Sequence, residues 1–345
     1  MPYRGYVRLN IELLRGPDST QHLFNMSVEY LREADVQKCL RWSALVPKME
    51  SALSQLSDKS VVQPVKLVTP VPGKNGVLLT MPAYSRKNNA LGCKIVTSFS
   101  GNKTKGLPSV IATVLLLDGD TGKPKAIMEG NMITAWRTAA ASVAATKHLH
   151  SGKKETLCIL GAGEQAKSHA QAMHDQFKFS KIKIWNRTPA RAIKLCEELD
   201  LGSICTVHST AQDAASGADV ICTTTGADQP ILESAWVKDG AHINAVGANR
   251  GHHSELSVEL HRRGAIVVDS METALVEFAD LIEQGIPLWG DVGSIINGKR
   301  SKPGEKVTMF YSLGMAIEDV LSAELIYENR LAENKTKYAY TVDTP

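Results

Sequence analysis

The run Leu157-Cys158-Ile159-Leu160-Gly161-Ala162-Gly163-Glu164-Gln165-Ala166 leaves few folds open to this chain. It reads as a buried strand that turns sharply into a helix. The spacing G-x-G-x-x-A is the looser form of a dinucleotide-binding turn. Gly161 permits the tight turn. Gly163 lets backbone approach a pyrophosphate, whose charge rests on the free N–H groups that open the helix. Ala166 is small enough for helix and strand to pack closely. A glycine-rich strand exit without a nucleotide is the alternative, and the following sequence favours the nucleotide. A helix is predicted over 164–176. Strand candidates recur at 156–160, 182–185, 205–208, 219–224, 242–246 and 265–268. Strands alternating with helices predict a parallel sheet covered on both faces.

The end of the second strand selects the cofactor. An NAD-preferring site usually places Asp or Glu there, to accept from the ribose hydroxyls. Here the chain reads Asn186-Arg187-Thr188, with no acid. Arg187 can pair with a 2′-phosphate and stack along the adenine, while Asn186 and Thr188 can donate to the phosphate. NADPH is therefore expected, with NADH the weaker alternative. Thr188-Pro189 is also a good helix start, and both roles can hold together. The later loop Ile243-Asn244-Ala245-Val246-Gly247-Ala248-Asn249-Arg250 follows a strand. Its residues fall at the carboxyl edge of the sheet, where ligands bind. Val246 is assigned there to the cofactor and Asn249 to the substrate.

The amino-terminal part lacks this rhythm. Helices are predicted over 32–40 and 46–56, and strands over 61–69, 76–81, 91–99, 111–118 and 124–129. Gly119 and Gly122 mark a hairpin-like turn. This is an α+β unit. An alanine-rich helix over 133–148 links it to the nucleotide unit, and 309–331 reads as one last long helix. The overall class is α/β: a Rossmann-type NAD(P)-binding domain over 137–314, with an α+β substrate domain built from 26–136 and 315–345. Substrate would meet the nicotinamide in the cleft between them.

Net charge is only +3, so bulk electrostatics give no nucleic-acid role. No apolar stretch suggests a membrane span. The six cysteines lack C-x-x-C spacing and read as reduced residues of a cytoplasmic protein. No metal is expected, since His252-His253 are adjacent rather than facing. Residues 1–25 form an extension in which Arg4, Arg8 and Arg15 alternate with apolar residues. That pattern loosely resembles a mitochondrial transit peptide.

Lys66, Lys94 and Arg137 stand out among the charged residues. Both lysines sit inside apolar, strand-like runs, and Arg137 begins the alanine-rich helix. An unpaired charge in such a setting is costly. A substrate carboxylate is one candidate partner, which Arg137 can grip in a bidentate fork. An internal salt bridge for each, or a snorkelling lysine at a strand edge, is the other.

In order, several motifs carry a family resemblance. They are Gln63-Pro64-Val65-Lys66, Met81-Pro82-Ala83-Tyr84, Lys94-Ile95-Val96-Thr97 and Gly130-Asn131-Met132-Ile133-Thr134-Ala135-Trp136-Arg137-Thr138. The nucleotide turn, Ile184-Trp185-Asn186-Arg187-Thr188, Val268-Asp269-Ser270 and Ser312-Leu313-Gly314-Met315-Ala316-Ile317-Glu318-Asp319 complete the set. Over about residues 28–328 the chain resembles the ornithine cyclodeaminase/mu-crystallin family. The resemblance implies a homodimer, a nicotinamide cofactor and a small amino- or imino-acid substrate. It puts Lys66, Lys94 and Arg137 around the substrate carboxylate. Lys94 is taken as the catalytic residue nearest the reacting centre, either steering orientation or supplying a proton. Gly161, Gly163, Gln165, Asn186, Arg187 and Thr188 fall at cofactor positions.

Two departures bear on activity. Asn249 falls where the cyclodeaminases carry a catalytic aspartate, and an amide cannot exchange protons as ammonia leaves. Other members carry serine there. Lys66 stands where the family usually has arginine, so the planar fork is lost. The expected reaction is NADPH-dependent reduction of a cyclic ketimine carboxylate to a saturated cyclic amino acid. The alternatives are an NADPH-retaining, small-ligand- or thyroid-hormone-binding protein with little turnover, and a cyclodeaminase that uses Glu272 or Asp269 as its acid.

Overall fold

A computed structural model describes residues 28–247, 254–304 and 306–341. The amino-terminal sheet contains β1 (Glu29–Leu31), β2 (Val61–Val62), β3 (Leu67–Val71), β4 (Gly76–Ser85), β5 (Ala90–Phe99), β6 (Val110–Asp118) and β7 (Pro124–Glu129). Its order is β1-β7-β6-β5-β4-β2, with β3 also paired to β4. Helices α1 (Glu33–Cys39), α2 (Trp42–Ser57) and α3 (Asn131–Leu149) belong to the same part of the chain. The strands β4 to β7 form an antiparallel meander. Side chains of a strand alternate between faces. The register row Met81–Lys94–Val114–Met128 is buried, whereas Leu67 and Ile95, one residue out of phase, are exposed. Lys94 is thereby carried to the core face.

The second sheet contains β8 (Thr156–Leu160), β9 (Lys181–Trp185), β10 (Cys205–Val207), β11 (Val220–Thr223), β12 (His242–Ala245), β13 (Ala265–Val268), β14 (Leu288–Asp291) and β15 (Thr308–Tyr311). All its neighbours are parallel, in the order β10-β9-β8-β11-β12-β15-β13-β14. Between these strands run α4 (Glu164–Phe177), α5 (Pro189–Leu199), α6 (Ala211–Ala215), α7 (Val258–Arg263), α8 (Met271–Glu277), α9 (Ala279–Glu283) and α10 (Val292–Ile296). The closing helix α11 (Ala316–Thr341) crosses back to the first sheet. It lies so close to β5 that a Cβ on Gly92 would come within 3.2 Å of Val320. On another side α10 abuts α2, where a Cβ on Gly293 would meet the Leu53 carbonyl. Both sheets therefore share one packed body. Among the described residues, no helix is long and apolar enough to cross a membrane.

Three expectations are corrected. The stretch predicted as a single helix over 309–331 is a strand, a turn and then a helix. Thr308, Met309, Phe310 and Tyr311 are all buried, as a strand interior to the sheet requires. A short apolar run does not distinguish strand from buried helix by period. Gly314, at φ +80°, then breaks the chain before α11. The strand expected over 61–69 splits into β2 and β3 around Pro64, so Lys66 lies in the connection and not in a strand. Finally, not all six cysteines are free. Cys196 on α5 and Cys205 on β10 form a disulfide, because β10 returns beside the helix that precedes it and brings the Cα atoms to 5.9 Å. Cys39, Cys93, Cys158 and Cys222 are free thiols.

Candidate active site

The turn between β8 and α4 has the features a dinucleotide needs. Gly161 sits at φ +130°, and a Cβ there would lie 2.5 Å from Thr224 Oγ1. Only glycine fits both the conformation and the space. Gly163 precedes α4 in extended conformation, and a Cβ on it would meet nothing within 4 Å. Its missing side chain leaves a cradle open in front of the helix N–H groups. Gln165 Oε1 is buried without a hydrogen-bond partner among the described residues, and so can accept from a bound nucleotide. At the end of β9, the Asn186 amide donates to the Thr188 carbonyl at 2.9 Å and braces the turn. Arg187 and Thr188 are exposed, and Arg187 has no ion pair among the described residues. A nicotinamide nucleotide fits these groups.

Val246 follows β12, its N–H donating to the Thr223 carbonyl at 2.9 Å. Beneath this edge Glu255 is buried. It accepts from the Thr225 N–H and hydroxyl, both at 2.6 Å, and from the Gly247 N–H at 3.0 Å. Burial pushes its carboxyl up to about 7, against these hydrogen bonds. Asn249, His252 and His253 lie outside the described residues.

The basic residues are brought together only in part. Lys94 from β5 and Arg137 from α3 converge on one carboxylate, Asp319 of α11. The Lys94 Nζ lies 2.7 Å from Oδ2, and Arg137 Nε donates to Oδ1 at 3.0 Å. Arg137 Nη1 also donates to Glu318. The internal-salt-bridge alternative is thus realised for both cations. Nη2 of Arg137 remains without a partner among the described residues. It lies 3.5 Å from where a Cβ on Gly314 would stand. Lys66 is separate from this cluster and pairs with Glu277 of α8 at 3.0 Å, with a third of its side chain exposed. Burial, followed by the charge on Arg137, pushes Lys94 down to about 8, although Asp319 opposes the shift. Burial also disfavours the charged guanidinium of Arg137, but Asp319 and Glu318 outweigh it and raise its pKa.

A cavity of about 700 Å³ opens beside the cluster, at the carboxyl ends of β13 and β14. Lys66, Met81, Asp269, Glu277, Gly314 and Met315 are among its walls. Asp269 directly follows β13 and is buried. Its Oδ2 accepts N–H groups from Leu313 at 2.7 Å and Gly314 at 3.1 Å. Sequence reasoning did not single out Glu318, Asp319 or Glu277. A signal existed for the first two: adjacent acids opening an apolar helix, in a chain with two buried cations that lacked partners.

A nucleotide cradle and a charged cavity at the carboxyl edge of a parallel sheet define a nicotinamide-nucleotide-dependent oxidoreductase. The sequence comparison narrows the class further. A profile of the ornithine cyclodeaminase/mu-crystallin family matches residues 27–334, and the chain belongs to that family. It is 45% identical over 304 residues to the ketimine reductase mu-crystallin of Mus musculus, covering 87% of this chain and 96% of that one. The Delta(1)-pyrroline-2-carboxylate reductase of Bacillus cereus (strain ZK / E33L) is 34% identical, over 85% of this chain and 93% of its own. Among solved structures, the Thermococcus litoralis Delta(1)-pyrroline-2-carboxylate reductase in complex with NADH and L-proline superposes with a TM-score of 0.82. It is 32% identical, over 89% of this chain and 98% of that one. An archaeal alanine dehydrogenase dimer with bound NAD gives 0.82 at 30% identity, over 89% and 97%.

Proposed function

We propose that this chain reduces cyclic ketimine carboxylates to saturated cyclic amino acids, with NADPH as the preferred cofactor. The observation that carries the reading is the spare Nη2 of Arg137. Two of the guanidinium's nitrogens are fixed by Asp319 and Glu318, which sets its plane. The third is free beside Gly314, a residue of the cavity wall. A guanidinium held in this way presents a charged donor to an incoming carboxylate without reorganising. Lys94 backs it with a second positive charge through Asp319. Lys66, at the outer wall, can exchange Glu277 for the substrate. The relatives named as ketimine and pyrroline-carboxylate reductases act on C=N compounds, which supports the same class here.

When bound, the nicotinamide supplies a hydride to the imine carbon. The protein's own task is to fix the carboxylate, align the ring and keep water from the reacting bond. Gly161, Gly163, Gln165 and Val246 are assigned to the nucleotide, and Asn186, Arg187 and Thr188 to its 2′-phosphate. Asn249 stands where the cyclodeaminases carry their catalytic aspartate, and the amide at that position favours reduction over ammonia release.

A homodimer is inferred from the face of the first sheet opposite Lys94. Leu67, Ile95 and Ile111 share that face by register and are exposed together. A cytoplasmic location is inferred from the four free thiols Cys39, Cys93, Cys158 and Cys222, with the Cys196–Cys205 disulfide the exception to that pattern. Residues 1–25, and any import signal in them, lie outside the described residues.

The test is NADPH oxidation with a panel of five- and six-membered cyclic ketimine carboxylates, and with NADH as the paired control. Rapid turnover of one ring size is expected. Tight NADPH binding without turnover of any ketimine would overturn the reading.

A further inference from the structure

The cluster beneath the cavity has an unbalanced set of charges. Lys94 and Arg137 are its two cations, whereas Asp269, Glu318 and Asp319 are three carboxylates, and all five are at most 4% exposed. A buried site does not sustain an uncompensated charge, and takes up a proton instead. Asp319 is held by both cations and stays ionised. The proton therefore belongs to Asp269 or Glu318. Glu318 also has a buried oxygen, Oε1, with no hydrogen-bond partner among the described residues, but its other oxygen accepts from Arg137 and it is not part of the cavity wall. Asp269 lines the cavity and forms no ion pair with either cation among the described residues. Its Oδ2 is fixed by the Leu313 and Gly314 N–H groups, and its Oδ1 is buried with no hydrogen-bond partner among the described residues. An unpartnered carboxyl oxygen on a residue that lines the substrate cavity suits a carboxylic O–H that meets its acceptor only when substrate arrives.

We propose that Asp269 is the acid that protonates the imine nitrogen of the bound substrate. The inference rests on the imine-reductase reading above. The O–H bond of Asp269 breaks and an N–H bond forms at the imine nitrogen. The hydride then adds to the imine carbon, the C=N π pair becomes the amine lone pair, the nicotinamide is oxidised, and Asp269 regains a proton from water. Lys94 is a poorer donor, because losing its proton would strip Asp319 of one of its two cations. Glu272 lines the cavity but is exposed.

The electrostatic environment agrees with the geometry. Burial, then the neighbouring Glu318, pushes Asp269 up to about 8, while the two backbone N–H groups and Arg137 oppose it. The charged groups around it come from three elements: Arg137 on α3, Lys94 on β5, and Glu318 and Asp319 on α11.

The experiment compares Asp269→Asn with wild type in the full-length chain. Asparagine keeps the acceptor for Leu313 and Gly314 and lacks the acid proton. Two substrates are used: a cyclic ketimine carboxylate, and its N-methyl iminium counterpart, which needs no proton. With the ketimine, kcat should fall about 100-fold or more, and the N-methyl iminium should lose far less. Equal losses on both in a folded variant would overturn the assignment and leave the reductase reading intact. Failure of wild type on every ketimine would instead overturn the reading beneath it. A second measurement needs no turnover. The infrared spectrum of the cofactor-free protein should show a protonated-carboxyl C=O band that disappears as pH rises through about 8 and is missing from Asp269→Asn. Glu255, at about 7, gives a band of its own, so the component that titrates near 8 is the one followed; its persistence in the variant would assign the proton to another carboxyl and refute the proposal.

Discussion

Asp319 is the residue on which the buried cluster depends, and Asp319→Asn tests this directly. The carboxylate is fully buried and carries Lys94 at 2.7 Å and Arg137 at 3.0 Å. Asparagine preserves its shape and removes its charge. Breaking a buried ion pair from one side costs about 3–5 kcal/mol, because the partner is left desolvated and uncompensated. Two cations lose a partner here, yet the cost should not double. Arg137 retains Glu318. The proton held by Asp269 or Glu318 can also leave, after which two cations face two carboxylates. A loss of about 3 kcal/mol, at the lower end of that range, is therefore expected. The assay is urea unfolding at neutral pH, with the denaturant midpoint shifted and its slope unchanged. Glu277→Gln serves as the contrast. It breaks the Lys66 pair, whose lysine is one-third exposed, so solvent screening should hold the change to about 1 kcal/mol or less. A Lys94→Met, Asp319→Asn double variant should lose less than the sum of its parts, because the two residues share one interaction. If Asp319→Asn unfolds within about 1 kcal/mol of wild type, the buried-charge reasoning fails, and the proton count behind Asp269 fails with it.

Further outcomes follow from other parts of the molecule. Arg187→Ala should raise the KM for NADPH about 10- to 100-fold, the worth of one charge-assisted hydrogen bond, with NADH kinetics unchanged; equal losses with both nucleotides would exclude a 2′-phosphate contact. Gly161→Ala should abolish nucleotide binding in a titration calorimeter, since φ +130° and the 2.5 Å approach to Thr224 both exclude a side chain; normal affinity would refute the tight-turn argument. His242 is buried between Thr308 and Asn244, and burial pushes it down to about 3. The unfolded chain then binds the extra proton between pH 3 and about 6.5, so this contribution to stability is complete above that window and lost as pH falls through it. His242→Asn should flatten the acid limb of the stability profile, and an unchanged limb would show that His242 does not titrate on unfolding.

What the sequence determined by itself was local. Gly161, Gly163 and Ala166 specify a turn through backbone freedom and close packing, both properties of neighbouring residues. Alternation along β4 to β7 shows which residues share a face, and the absence of an acid at Asn186-Arg187-Thr188 bears on cofactor choice from three positions. The family motifs added the ligand class. Tertiary structure decided what depends on distant partners. Met309 to Tyr311 is a strand only because β12 and β13 flank it on either side. Lys94 and Arg137 are compensated by acids from a helix far along the chain, Arg137 and Asp319 being 182 residues apart. Periodicity cannot reveal which carboxylate a buried cation finds, because Coulombic pairing depends on distance in space and on shared desolvation. The same holds for Asp269. Its place in Val268-Asp269-Ser270 is plain in the sequence, but whether it carries a proton depends on the balance of charges that folding gathers around it.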